Sequence, residues 1–365
     1  MNKDPLKFIR SDFAELIPYL AVDSSEEIAK TLDISAGSII KLNANENPYP
    51  PISAVREAIA GASINTYPDP KQSLLRDTIG SFLSVNPDQI VAGSGSDDLI
   101  DIVIRLVEPK ASVTAVPTFG MYKFLSNTTG INHIGITRNE NFEVDIPEIR
   151  KAVKNGANLI LLASPNNPTG NSLSMEEVTE LAELDAMIVV DEAYAEFSGV
   201  SVIPLIEKYP NLIVLRTFSK WAGLAGLRIG YSISHSEIAK RMMAIKQPYN
   251  VSTIAEAAAC AAIRHRDVGL RSVNLLVLER ERLSKKLSEF SIFKVFPSDA
   301  NFVLVKVVDK KAEDVVKFLW ERGILVRYYD TPELSGMIRI SAGLPEQTDA
   351  LLKALQEFEG NHVQT

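Results

Sequence analysis

A single cysteine, Cys260, occurs in the 365 residues. No internal disulfide can form, and the cytosol is the natural compartment. Cys260 lies in the alanine-rich run 255–262, where a thiol reads as a small core side chain. Four scattered histidines and no cysteine pair argue against a structural zinc site. Basic runs are missing too, and the net charge is −8. Nucleic acid and anionic membrane surfaces are therefore not expected as main partners. No apolar run approaches the roughly 20 residues that span a bilayer. The opening Met-Asn-Lys-Asp-Pro-Leu has no signal-peptide core. Internal repeats and low-complexity segments are also lacking. What is present is ordinary for a globular chain, 46% hydrophobic and 23% charged residues, with length for one large domain and one smaller.

Between about residues 85 and 235, short β-branched runs alternate with helical patterns. Runs at 89–92, 112–116, 158–163, 187–190 and 212–215 read as strands. Amphipathic stretches read as helices, among them 97–107 and one starting near Ser174, where Glu177 completes a capping-box spacing. Continuous apolar strands separated by helices predict an α/β fold with a mostly parallel sheet between helices. In such sheets ligands bind beyond the carboxyl ends of the strands. The C-terminal part reads differently: strands at 293–296, 301–308, 324–328 and 337–341, and helices at 311–322 and from about 346. That is a smaller α+β unit. The expected division is a large domain over 45–270 and a discontinuous small domain over 1–44 and 271–365. A linking helix is expected near 267–290, and the polar first 40 residues are expected to be poor in helix.

The most informative stretch is 217–231, Thr-Phe-Ser-Lys-Trp-Ala-Gly-Leu-Ala-Gly-Leu-Arg-Ile-Gly-Tyr. Lys220 follows a buried strand, where an amine is costly unless it reacts or pairs. The hydroxyls of Thr217 and Ser219, the guanidinium of Arg228 and three glycines suit an anion brought close to backbone. An amine beside an anion grip fits a Schiff base with a phosphorylated aldehyde, pyridoxal phosphate (PLP). Residues 93–98, Gly-Ser-Gly-Ser-Asp-Asp, open a helix whose N–H groups favour phosphate, with Ser96 adding a hydroxyl. A plain strand-to-helix turn reads equally well there. Asp191 ends a strand and matches a protonated pyridine nitrogen; an N-cap or a structural ion pair is the alternative. Tyr194 and Asn167 are placed to hydrogen-bond the ring's phenolate oxygen, and Phe119 to stack on its face, although Tyr194 and Phe119 also read as core aromatics and residues 166–170 as an ordinary turn. Arg327 and Arg339 lie in strand-like runs. As guanidinium forks they suggest a substrate with two acidic groups; as strand-edge residues they would face solvent.

Asn167, Asp191, Tyr194, Lys220 and Arg228, in this order, resemble the residue set of fold-type I PLP-dependent aminotransferases. The likeness covers nearly the whole chain. It rests also on residues 41–49 (Lys-Leu-Asn-Ala-Asn-Glu-Asn-Pro-Tyr), 65–69 (Asn-Thr-Tyr-Pro-Asp), 117–122 and 339–343 (Arg-Ile-Ser-Ala-Gly). The resemblance implies a seven-stranded sheet in the large domain and a Schiff base on Lys220. It implies a phosphate held by Gly95, Ser96, Asp97, Ser219 and Arg228. It implies a homodimer with shared sites, in which Tyr67 reaches the partner subunit's cofactor phosphate. Phe119 takes a stacking place where the family often carries tyrosine. Arg339 matches the arginine for a substrate α-carboxylate, Arg327 and Tyr19 match contacts to a substrate phosphate, and Asn45 lies in a loop that closes over the substrate. Trp221-Ala222, Ala342 and Leu344 depart from the usual pattern.

The function so implied is transfer of an amino group between L-histidinol phosphate and 2-oxoglutarate, within histidine biosynthesis. An aromatic amino-acid aminotransferase and a decarboxylase of a phosphorylated amino acid need the same ring-binding set. A PLP-fold regulator without turnover is a reading of another class. It calls for a DNA-binding segment, and the first 40 residues are too few and too acidic for one.

Overall fold

The computed structural model describes residues 4–13, 16–19 and 22–361; Met1–Lys3, part of the stretch read above for a signal peptide, lie outside the described residues. The strands are β1 Ile40–Lys41, β2 Ile90–Gly93, β3 Ala111–Val116, β4 Asn132–Thr137, β5 Leu159–Ala163, β6 Met187–Asp191, β7 Leu212–Thr217 and β8 Gly230–Ser234, then β9 Phe293–Val295, β10 Phe302–Val307, β11 Ile324–Leu325, β12 Arg327–Tyr328 and β13 Met337–Ser341.

Seven of them form the central sheet, in the order β2-β8-β7-β6-β5-β3-β4. Neighbours from β7 through β4 pair in parallel, and β8 alone runs against both its neighbours. β5, β7 and β8 are buried along their whole length, as expected of strands covered by helices on both faces. Two apolar clusters fill those faces. The capping box at Ser174 is formed: its hydroxyl accepts from the Glu177 N–H at 3.1 Å, and the Glu177 carboxylate accepts from the Ser174 N–H at 2.7 Å.

A second sheet, β12-β13-β10-β9, has its own apolar cluster and packs with the helices Ala312–Trp320 and Pro345–Asn361. Here two expectations are corrected. The strand read over 324–328 is two short strands. β11 pairs in parallel with β1, whereas β12 pairs antiparallel with β13, and the change of partner falls at Val326. The N-terminal segment is less poor in helix than its polarity implied. Ser25–Leu32 is a helix whose N-cap Ser24 accepts from the Glu27 N–H at 3.2 Å and which ends at Asp33 in a left-handed conformation. The helix Arg266–Leu287 connects the parts of the chain that carry the two sheets. No helix among the described residues is long and apolar enough to cross a membrane.

Candidate active site

Beyond the carboxyl ends of β3, β5, β6 and β7 lies a cavity of ≈ 340 Å³. All the residues given a cofactor or substrate role from the sequence line it except Gly95 and Tyr67. Topology explains the convergence. Parallel strands deliver Phe119, Asn167, Asp191 and Lys220 to one edge of the sheet, and β12 and β13 bring Arg327 and Arg339 from the other side. Asn166 ties two of the loops together. It accepts from Thr118 Oγ1 at 2.7 Å and donates through Nδ2 to the Pro117 carbonyl at 3.0 Å.

Lys220 Nζ donates to the Ala44 carbonyl at 3.4 Å and lies 5.7 Å from the centre of the Tyr194 ring. Burial, reinforced by the positive charge of Arg339, lowers its pKa to about 8. Asp191 is buried. Its Oδ2 accepts from the Tyr122 hydroxyl at 2.9 Å and its Oδ1 from the Ala193 N–H at 3.1 Å. Neither partner is a cation, so the structural ion pair considered from sequence is not what holds this carboxylate. Burial raises its pKa to about 6, and a ligand cation is what the position lacks. Tyr194 OH accepts from Asn45 Nδ2 at 2.9 Å, which leaves its own proton to donate.

The anion end forms where the helix Ser96–Val107 begins. Gly95, its N-cap, has φ +88°, and a Cβ there would lie 2.5 Å from Arg228 Nη2. Only glycine leaves the guanidinium this place. Arg228 is itself left-handed, at φ +49°, and its Nη2 donates to Asp97 Oδ2 at 2.9 Å. The Asp97 carboxylate is thus committed to orienting Arg228, and what it offers an anion is its backbone N–H. Thr217 Oγ1 donates to Ser219 Oγ at 2.9 Å and accepts from the Ser219 N–H at 3.0 Å.

On the opposite wall, Arg327 and Arg339 are direct cross-strand neighbours. Arg339 is only 5% exposed, which rules out the solvent-facing reading for it. Its Nη1 donates to Asn167 Oδ1 and its Nη2 to the Asn43 carbonyl, both at 2.6 Å, while its Nε has no protein partner. The Tyr329 ring lies 5.6 Å from the Arg327 guanidinium and 5.9 Å from that of Arg339. Like charges directly opposite in a sheet repel, and both side chains line the cavity. Asn45, left-handed at φ +52°, joins the N-terminal segment to the second sheet, where its N–H donates to Ser341 Oγ at 3.0 Å and Asn301 Nδ2 donates to its carbonyl at 3.1 Å, and through Tyr194 to the end of β6. The ring of Tyr19 meets that of Phe119 edge-on, with 6.3 Å between centroids. Behind the site, Arg216 on β7 donates to Glu192 Oε2 and to Glu196 Oε1, each at 2.8 Å, in a buried triad.

Tyr67 is elsewhere. It is 80% exposed and stacks on Tyr249, with centroids 4.5 Å apart. The site residues that sequence reasoning gave no role are Tyr122, Tyr329 and Asn43. Tyr122 was visible as the aromatic three residues after Phe119, a helical spacing, and Tyr329 as the position two beyond Arg327, on the same face of an extended segment.

The model of the family described as aminotransferase class I and II matches residues 37–355. The chain belongs to that family. Among the relatives of this aminotransferase, a histidinol-phosphate aminotransferase of Roseiflexus castenholzii is 43% identical over 96% of the chain and 97% of its own length. A chloroplastic histidinol-phosphate aminotransferase of Nicotiana tabacum is 40% identical over 96% of the chain and 86% of its own. The crystal structure of histidinol-phosphate aminotransferase from Sinorhizobium meliloti in complex with pyridoxal-5'-phosphate superposes with a TM-score of 0.85 at 30% identity, covering 95% of this chain and 97% of that one.

Proposed function

We propose that this aminotransferase binds PLP and moves an amino group between L-histidinol phosphate and 2-oxoglutarate. The observation that carries the substrate reading is the pair Arg327 and Arg339, facing each other across β12 and β13 on the cavity that also holds Lys220. Two adjacent guanidinium forks suit both members of such a substrate pair, one bearing a phosphate and the other two carboxylates.

The donor set fits the cofactor. A buried carboxylate without a cation, an amine of lowered pKa, and a glycine-opened helix N-terminus beside an arginine match, in turn, a pyridine nitrogen, an aldehyde and a phosphate. When bound, PLP supplies an electron sink for the carbanion formed at the substrate's Cα. Lys220 holds the cofactor covalently between turnovers. Once released, its Nζ takes the proton from the substrate Cα in one half-reaction and returns one there in the other. A pKa lowered to about 8 leaves a usable fraction of that amine neutral near physiological pH. Asp191 keeps the ring nitrogen protonated. Gly95, Ser96, Asp97, Ser219 and Arg228 hold the cofactor phosphate, Asn167 and Tyr194 face the phenolate oxygen, and Phe119 covers the ring. Arg339 takes the carboxylate of glutamate, while Arg327 and Tyr19 take the phosphate of histidinol phosphate. Asn45 closes the segment above them.

The reading includes a homodimer in the cytosol, with Tyr67 serving the partner's site. The exposed Tyr67–Tyr249 stack supports this, because a large aromatic pair in solvent is a natural contact for a second chain. A half-reaction assay tests the substrate. Enzyme loaded with an amino group by glutamate should convert imidazole-acetol phosphate to histidinol phosphate. If it fails to, while phenylpyruvate is aminated briskly, the proposed substrate is wrong.

A further inference from the structure

We propose that Tyr122 is a positioning residue for the cofactor's ring: its hydroxyl holds the Asp191 carboxylate ionised and aimed at the ring nitrogen, while its own ring braces Phe119, which covers the ring face. The inference rests on the PLP reading above. Tyr122 is fully buried in the first turn of the helix Met121–Thr128, and it lines the cavity. Its hydroxyl donates to Asp191 Oδ2 at 2.9 Å. Its ring meets that of Phe119 edge-on, with centroids 5.6 Å apart and planes at 87°. One side chain therefore contacts the group assigned to the ring nitrogen and also the group assigned to the ring face.

The placement of Tyr122 does not depend on either contact. The Tyr122 carbonyl accepts from Ser126 Oγ at 2.9 Å, and Ser126 Oγ lies 2.8 Å from Ser112 Oγ on β3, which ties the helix to the sheet. The hydroxyl is a one-way donor here. Burial, and then the Asp191 charge, raise its pKa well above the usual range for tyrosine, so it keeps its proton and presents it to the carboxylate. Asp191 needs this. Burial drives it towards the neutral acid, and the Tyr122 bond opposes that drive. With PLP bound, one proton is shared between ring nitrogen and carboxylate. Hydrogen bonding to the charged carboxylate favours the state in which the nitrogen holds it.

The test is Tyr122→Phe, which removes the hydroxyl and keeps the ring against Phe119, read by the 15N shift of ring-labelled PLP bound to the protein. The wild-type nitrogen is expected at the protonated value. In the variant, the ratio of protonated nitrogen to neutral pair is expected to fall roughly tenfold, the effect of one lost hydrogen bond to a charged group. kcat is expected to fall with it, while KM for glutamate stays near wild type. Ser126→Ala loosens the helix anchor without touching Asp191; it should lower the melting temperature and leave the 15N shift in place. If Ser126→Ala moves the shift as much as Tyr122→Phe does, or if Tyr122→Phe leaves it unmoved, the proposal is overturned. Should Tyr122→Phe not fold, the wild-type protein still decides the matter. The Tyr122 hydroxyl proton should exchange slowly and shift on PLP binding, and a fast-exchanging or unresponsive proton contradicts the assignment. Wild-type protein that binds no PLP at all overturns the underlying reading instead, which is a distinguishable result.

Discussion

Replacing Gly95 with alanine probes the anion end of the cavity at one atom. Gly95 has φ +88° and ψ 170°, a region that residues with a side chain enter at a cost of about 1–3 kcal/mol. The added Cβ would lie 2.5 Å from Arg228 Nη2 and 3.1 Å from its Cζ, so the guanidinium must withdraw. That breaks the 2.9 Å pair with Asp97, a partly exposed contact contributing up to about 1 kcal/mol. Together these put the loss of folding stability at about 1–4 kcal/mol. The consequence for PLP is larger than a clash alone implies, because a withdrawn Arg228 no longer reaches the phosphate. A hydrogen bond to a charged group contributes about 1.5–3 kcal/mol, so the PLP dissociation constant should rise roughly ten- to a hundredfold. Titration of the apoprotein with PLP, followed by quenching of intrinsic fluorescence, reads the affinity. Thermal unfolding with and without PLP reads the stability. A variant that melts with wild type and binds PLP with unchanged affinity would refute both the strain at Gly95 and the role of Arg228.

Lys220 gives a pH dependence. With its pKa at about 8, covalent capture of PLP by the apoprotein should accelerate as pH rises through about 8, and a profile that keeps climbing to the ordinary lysine range contradicts the lowered value. The folded pKa lies below the unfolded one, so the unfolded chain binds the extra proton between them and this group adds stability as pH rises across that window. Arg216→Met strands the buried carboxylates of Glu192 and Glu196, and breaking such a network should cost about 3–5 kcal/mol, measured by chemical denaturation. Mixing inactive Lys220→Ala subunits with weakened Tyr67→Ala subunits should restore activity through hybrid dimers carrying one intact site; no gain on mixing contradicts a shared site.

Much of this site was legible because parallel sheets bind ligands at strand ends, and the chemical residues lie where apolar runs stop. Asp191 ends β6, Lys220 follows β7 by three residues, and Asn167 follows β5. Their convergence needed only the α/β pattern. Relations across long sequence distances were not legible. The pairing of Arg327 opposite Arg339 depends on where the chain leaves β11 for β12, and the continuous strand-like run from 324 to 328, with no turn residue in it, hides that change of partner. β8, antiparallel in an otherwise parallel run, is Gly-Tyr-Ser-Ile-Ser, with only two large apolar side chains to mark it as a strand, and its direction follows from the tight return through Arg228. Tyr122 reads as core from spacing, and it is core; that its hydroxyl meets Asp191, 69 residues on, is a fact of packing. The departure at Trp221 is accommodated by Gly269, whose missing side chain leaves the indole room: a Cβ there would lie 3.2 Å from Trp221 Cζ3.

The role of Lys220 is tested most directly by treating the purified protein, incubated with PLP, with borohydride and mapping the reduced cofactor by peptide mass spectrometry. The label is expected on Lys220, in the segment lining the cavity, and is expected to vanish in Lys220→Ala. A label on another lysine, or one that survives the substitution, contradicts the assignment of this amine as the group that carries the cofactor.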